Sequence, residues 1–184
     1  RVFPIKEVSD IGRKHNIPLR MDNTAAPVIC KPLDHGAAVV VHSLTKFIGG
    51  HGTVIGGCLV GGGNFDWTTD PKRQPLFNEP DASYGGAVWG EVVPQLTGAN
   101  VAFAVRARVC LLRDLGAPLA PDNAWGIIQG LETAPLRMKQ HCSNAEKVVD
   151  FLSKHKSVTR VIYPTLPKGA VGDRAKKYFK GGNG

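Results

Sequence analysis

Residues 21–52 read MDNTAAPVICKPLDHGAAVVVHSLTKFIGGHG, and the fold class turns on how this stretch alternates. An apolar run, IPLRMD over residues 17–22, ends on Asp22. A second run, AAVVVHS over residues 37–43, is β-branched and ends at Ser43. Both read as strands. Between them, 23–36 is polar, broken by prolines and long enough for a crossover. The glycine-rich TKFIGGHGTVIGG follows from Thr45, and GCLVGG over residues 57–62 reads as a third short strand. Strand, crossover and strand in this order predict an α/β domain with a mostly parallel sheet.

Upstream, Ile5, Val8 and Ile11 recur at a spacing of three, which predicts an amphipathic helix over 5–15 with those residues inward. Downstream, 64–98 holds Pro71, Pro75, Pro80 and Pro94 among Trp67, Phe77, Tyr84 and Trp89. It reads as a long excursion with little regular structure, of the kind often functional or interfacial. Residues 101–115 return to a helix with Val101, Val105, Val109 and Leu112 on one face and Gly116 past its end. A second helix is expected over 120–131. A third starts at Pro135, a residue suited to a first helical turn, and runs to about Lys154. VTRVIYP over residues 158–164 reads as a strand, and a short basic helix closes the chain. A domain boundary is expected near residue 134, with 1–133 in one domain and 134–184 opening another.

The 184 residues suffice for one packed core and part of a second, and 42% hydrophobic with 21% charged is ordinary for a globular protein. The net charge of +8 attracts anions in general. The basic residues are scattered over presumed outer helix faces and no nucleic-acid motif accompanies them, so no nucleic-acid partner is expected. No stretch is long and apolar enough to cross a bilayer, and no membrane role is expected. Cys30, Cys58, Cys110 and Cys142 form no C-x-x-C pair and each lies in an apolar stretch. They read as small buried thiols of a cytoplasmic protein. Arg1 opens the chain without a Met, and Gly181-Gly182-Asn183-Gly184 ends it on a turn. Both ends read as cuts through a larger protein.

The chemistry concentrates where the strands end. In open α/β sheets, ligands bind beyond the carboxyl ends of the strands. Asp22 stands at one such end, Ser43 and Thr45 at the next, and Lys46 follows directly. A carboxylate stabilises a protonated ring nitrogen, an amine bonds an aldehyde, and hydroxyls donate to a phosphate. Pyridoxal 5'-phosphate has all three parts. Lys46 is therefore the candidate catalytic residue, with Asp22, Ser43, Thr45 and Lys46 holding the cofactor. Gly49, Gly50 and Gly52 permit sharp turns and close approach. His42 and His51 lack a supporting ligand pattern and read as structural, so no metal is expected.

The run from Met21 to Gly57 resembles the cofactor-lysine region of the Cys/Met-metabolism pyridoxal-phosphate enzymes. The likeness continues through FDW, ARVCLLRDLGAPLAP, QGLETAPLRMKQHCSNAEKVVDFL and RVIYP, nearly the whole chain. It implies the aspartate-aminotransferase-like (type I) fold, a mostly parallel mixed sheet, incomplete here, with the start of a C-terminal α+β domain. Lys46 then matches the cofactor lysine, Asp22 the ring-nitrogen partner, and Ser43 and Thr45 the phosphate contacts. The insertion FDWTTDPKRQPLFNEPDASYGG resembles the O-acetylhomoserine sulfhydrylase branch. That implies γ-replacement: acetate leaves O-acetylhomoserine, and sulfide or a thiol adds at Cγ to give homocysteine or methionine. A tetramer built of dimers is implied as well.

Three departures accompany the likeness. The family's upstream segment, with its ring-stacking aromatic and glycine-rich phosphate loop, has no counterpart here. Neither does the downstream arginine that clamps the substrate carboxylate. Gly85 stands where a histidine is expected. A cystathionine γ-synthase or methionine γ-lyase type of enzyme is the first alternative, and a catalytically inert structural subunit the second.

Overall fold

The computed structural model describes residues 2–180 and 182, so most of the turn expected at residues 181–184 lies outside the described residues. Its order is α1 (Ile5–Lys14), β1 (Arg20–Asp22), β2 (Val39–Ser43), β3 (Gly57–Gly61), α2 (Pro75–Asn78), α3 (Trp89–Thr97), α4 (Ala102–Arg106), α5 (Pro121–Lys154) and α6 (Ala170–Tyr178). A 3-10 turn, Pro32–His35, lies in the β1–β2 crossover and ends on Gly36.

The described residues form an α/β chain around a three-stranded sheet of order β1-β2-β3. β1 and β2 are parallel with Asp22 opposite Val41, whereas β2 and β3 are antiparallel with His42 opposite Cys58. The sheet is thus mixed, as the family resemblance implies, but with one parallel and one antiparallel pairing it is not mostly parallel. The reason lies in the connection: a parallel return needs a crossover, and the turn-rich 44–56 segment reverses the chain instead. β2 is central, and Val39 and Val40 are buried.

Helix α1 forms where expected but presents a different face. Ile5 and Ser9 are buried, while Ile11 is 60% exposed. The Ser9 hydroxyl donates to the Gly36 carbonyl at 2.6 Å. Spacing of four rather than three sets the contact, because i and i+4 lie over one another on a helix.

The proline-rich excursion builds the largest core cluster. Phe65, Trp67, Phe77, Trp89 and Val93 pack with Ala38, Val39 and Ala102. Trp67 stacks on Phe103 at 5.1 Å and meets Phe65 at 5.0 Å and Phe77 at 4.8 Å. The segment also contains α3 with Pro94 inside it, against the expectation of little regular structure. Apolar burial organises this stretch where local propensity does not. Next to it, the helix expected over 101–115 divides into α4 and a π-helical stretch, Ala107–Asp114. Val105 and Val109 pack on the cluster, and Gly116 takes a left-handed φ of 68° just past the end.

The two helices expected on either side of residue 134 are one helix of 34 residues, α5. Pro135 sits inside it rather than at a first turn. It lies on the exposed side, so water can satisfy the Leu131 carbonyl that proline leaves without a helical partner. The inner stripe is Ile127, Gly130, Ala134, Met138 and Cys142. VTRVIYP does not form a strand, and Ile162 is 68% exposed. Strand propensity without a ladder partner does not make a strand.

Helix α6 returns to α1. Tyr178 is 1% exposed, its hydroxyl donates to Glu7 at 2.9 Å, and it accepts from the Lys6 backbone N–H at 3.2 Å. All four cysteines are free; Cys30 and Cys142 are buried, Cys58 and Cys110 partly so. Among the described residues, no helix is long and apolar enough to cross a membrane.

Trp67→Ala is expected to lower the unfolding free energy by about 3–5 kcal/mol in a urea titration. Ile55→Ala, at a side chain 76% exposed, is expected to stay within about 0.5 kcal/mol of the parent.

Candidate functional site

The parallel register of β1 and β2 brings both strand ends to one rim. Beyond that rim lies an open cavity of about 620 Å³ lined by Asp22, Thr24, Thr45, Lys46, Phe47 and Arg137, among others. Three of the four residues singled out from the sequence therefore meet: Asp22, Thr45 and Lys46. Ser43 lies outside the lining, two residues before Thr45. Its backbone N–H donates to Thr24 Oγ1 at 2.8 Å, and among the described residues its own hydroxyl has no hydrogen-bond partner.

Asp22 is exposed to the cavity and fixed by Thr24, whose N–H donates to Oδ1 at 2.9 Å. The Thr24 hydroxyl first, and its N–H second, hold the Asp22 carboxyl below the ordinary carboxylate range; His42 adds a smaller pull, and partial desolvation opposes all three. Asp22 is accordingly a carboxylate at neutral pH. Thr24 also ties β1 to β2, since it touches Asp22 on one side and Ser43 on the other.

Lys46 lies in a π-helical turn, Leu44–Ile48, and its own φ of −91° and ψ of −121° interrupt the helix there. The turn is closed by Gly49 N–H to Leu44 O at 2.8 Å and Gly50 N–H to Lys46 O at 2.7 Å. Thr45 is braced from behind: its hydroxyl accepts from Gly56 N–H at 3.0 Å and lies 3.3 Å from the Gly56 carbonyl. His51 Nδ1 lies 2.7 Å from the Gly49 carbonyl. His42 is partly buried with Nδ1 unpartnered among the described residues, and burial lowers its pKa. Among the described residues, no cluster of His, Cys, Asp and Glu has the make-up of a metal site.

Helix α5 seals the back of the turn through residues not singled out from the sequence. A Cβ at Gly130 would stand 2.1 Å from the Gly49 carbonyl oxygen, so the two backbones touch. Arg137 donates to the carbonyls of Phe47 at 2.7 Å and Ile48 at 3.0 Å. The His141 ring meets Phe47 edge-on at 5.4 Å. The signal for them was present: 130, 133, 137 and 141 fall on one helical face.

The donor set fits pyridoxal phosphate. A held carboxylate, a primary amine and the Thr45 hydroxyl share one cavity, and the adjoining Gly50 takes a φ of 77° that favours glycine.

Comparison with known proteins points the same way. Residues 1–184 match the family described as Cys/Met metabolism PLP-dependent enzyme. The chain is 47% identical over 182 residues to the O-acetyl-L-homoserine sulfhydrylase of Leptospira meyeri, covering 97% of this chain and 41% of that protein. It is 42% identical over 181 residues to the homocysteine synthase of Schizosaccharomyces pombe, with the same shares. The chain thus spans about 41% of the length of these curated relatives. Among solved structures, a putative O-acetylhomoserine (thiol)-lyase from Campylobacter jejuni superposes with a TM-score of 0.85 at 39% identity, covering 98% of this chain and 44% of that one. That protein carries an N'-pyridoxyl-lysine-5'-monophosphate.

Thr24→Val removes the hydroxyl and is expected to raise the Asp22 titration midpoint toward the ordinary aspartate value, read by carboxyl-carbon NMR. The folded carboxyl titrates below its unfolded value, so Asp22 contributes stability above the unfolded pKa. That contribution is lost as pH falls through the folded pKa, and Thr24→Val reduces it.

Proposed function

The chain belongs to the Cys/Met metabolism PLP-dependent enzyme family, and from that membership we propose that the whole protein is a γ-replacement transferase. It moves the aminocarboxypropyl group of O-acetylhomoserine to sulfide or a thiol, giving homocysteine or methionine. The observation that carries this reading is the meeting of Lys46 and Asp22 in one cavity beyond the strand ends. The names of the relatives at 47% and 42% identity support the choice of substrate.

Lys46 bonds the cofactor aldehyde and, once its amine is displaced, carries the proton taken from the substrate Cα. Asp22, held in place by Thr24, pairs with the ring nitrogen and holds its proton there. Ser43 and Thr45 donate to the phosphate; the Ser43 hydroxyl, which has no hydrogen-bond partner among the described residues, supports its share of that role. When bound, pyridoxal phosphate supplies the electron sink for carbanion chemistry. In the net reaction the Cγ–O bond breaks as acetate leaves, and a Cγ–S bond forms.

The reading includes the type I cofactor fold, with 1–133 in the cofactor domain and 134–184 opening the second domain. It also includes a homo-oligomer, supported by Trp125, Ile128 and Leu131, exposed by 68%, 55% and 52% along α5. A cytoplasmic site agrees with four free cysteines.

Borohydride reduction of the whole enzyme is expected to leave a pyridoxyl group on Lys46. Lys46→Ala is expected to abolish that label and lower turnover by about 10²–10⁴-fold. A label on another lysine overturns the assignment, and no label on folded protein favours an inert subunit. With O-acetylhomoserine and sulfide, homocysteine is the expected product; predominant release of a 2-oxo acid would instead mark a γ-lyase, the activity named for a Lactobacillus plantarum structure at 27% identity and a TM-score of 0.66.

A further inference from the structure

The geometry points to Arg137 as a positioning residue that sets where the Lys46 amine can reach, an inference that rests on the role given to Lys46 above. Arg137 touches neither the Lys46 side chain nor Asp22 through any hydrogen bond among the described residues. Its guanidinium is spent on the backbone that carries the lysine.

The fork is nearly saturated. Nη1 donates to Phe47 O at 2.7 Å, and Nη2 to Ile48 O at 3.0 Å and Gly130 O at 2.7 Å. Nε donates to Thr133 Oγ1 at 3.1 Å, which fixes the plane of the group. Phe47 and Ile48 follow Lys46 directly, so two successive carbonyls of the lysine turn are tied to α5. A planar fork spans such a pair, and a single ammonium does not.

The other side of the turn is shaped to admit this group. A Cβ on Gly50 would stand 2.3 Å from Arg137 Nη1, and Gly50 holds a left-handed φ of 77°. With Arg137 in this place, residue 50 has no room for a side chain unless the guanidinium shifts. Hydrogen bonds from charged donors are stronger than neutral ones, and here they act on a turn whose own closing bonds span only residues 44–50. Without the fork, Lys46 keeps its reactivity but loses its fixed origin, and small misplacements of a reacting group are costly.

Two variants of the whole enzyme, Arg137→Lys and Thr133→Val, test this beside wild type. In Arg137→Lys, kcat per bound cofactor is expected to fall about 10–100-fold, with KM within about twofold of wild type, as for loss of a contribution made in the transition state. In cofactor-free protein, exchange of the Gly49 and Gly50 amides is expected to quicken about tenfold or more, while core amides keep their rates. Should Arg137→Lys not fold, Thr133→Val carries the test, with kcat per cofactor down about two- to tenfold. Normal kcat per cofactor in the variant that folds overturns the inference, even where cofactor occupancy or melting temperature drops. So does amide exchange that quickens evenly across the core. A wild-type enzyme with no pyridoxyl label on Lys46 overturns the cofactor reading and this inference together; a labelled wild type with fully active variants overturns the inference alone.

Discussion

The parallel pairing of β1 with β2 is the constraint on which the site depends. With Asp22 opposite Val41, both strands stop at one rim, and the residues that follow each of them enter the same cavity. A slip of one residue would turn Asp22 to the other face of the sheet. The pairing is only three residues long, so it draws support from outside the ladder. Thr24 supplies some, reaching from the end of β1 to the Ser43 amide. The buried Val39 and Val40 supply more, since a central strand covered on both faces fixes its neighbours.

Around that rim the molecule is organised by contacts at backbone distance. Gly130 lets α5 lie directly on Gly49, and Arg137 uses the proximity to reach carbonyls that no longer side chain at 130 would leave accessible. Ser9 does the same for α1 at Gly36. In each case a small residue on a helix replaces the apolar side chain that a hydrophobic-stripe reading expects. The bulky aromatic packing lies elsewhere, under the excursion around Trp67, where it anchors irregular chain to the sheet.

Much of this was legible in the sequence. The β2 strand, the third strand, the α1 helix and the meeting of Asp22, Thr45 and Lys46 all follow from apolar runs and the polar residues that end them. What escaped did so for physical reasons. The direction of β3 depends on the turn before it, and a segment rich in glycine with no helical pattern argues for reversal. The break expected at Pro135 rested on local propensity, which a well-packed inner face overrode. VTRVIYP carried strand propensity, but pairing partners are a tertiary property. Arg137 and Gly130 were invisible because their roles depend on what α5 packs against, although their spacing placed them on one face.

Tyr178 gives the chain an order of assembly. Its hydroxyl joins Glu7 across 171 residues of sequence, so α1 finds this partner only after nearly all the intervening chain exists. At ribosomal speeds of roughly 5–20 residues per second, that wait lasts roughly 10–30 s. Throughout it, Val2, Ile5 and Cys30 lack the cover that Ala175 and Tyr178 provide. Contacts of such long range also slow the closing step itself, because the loop entropy is lost before the contact forms. The nascent chain thus presents this apolar surface long before it can bury it, and in that interval the surface is open to a chaperone or an off-pathway neighbour.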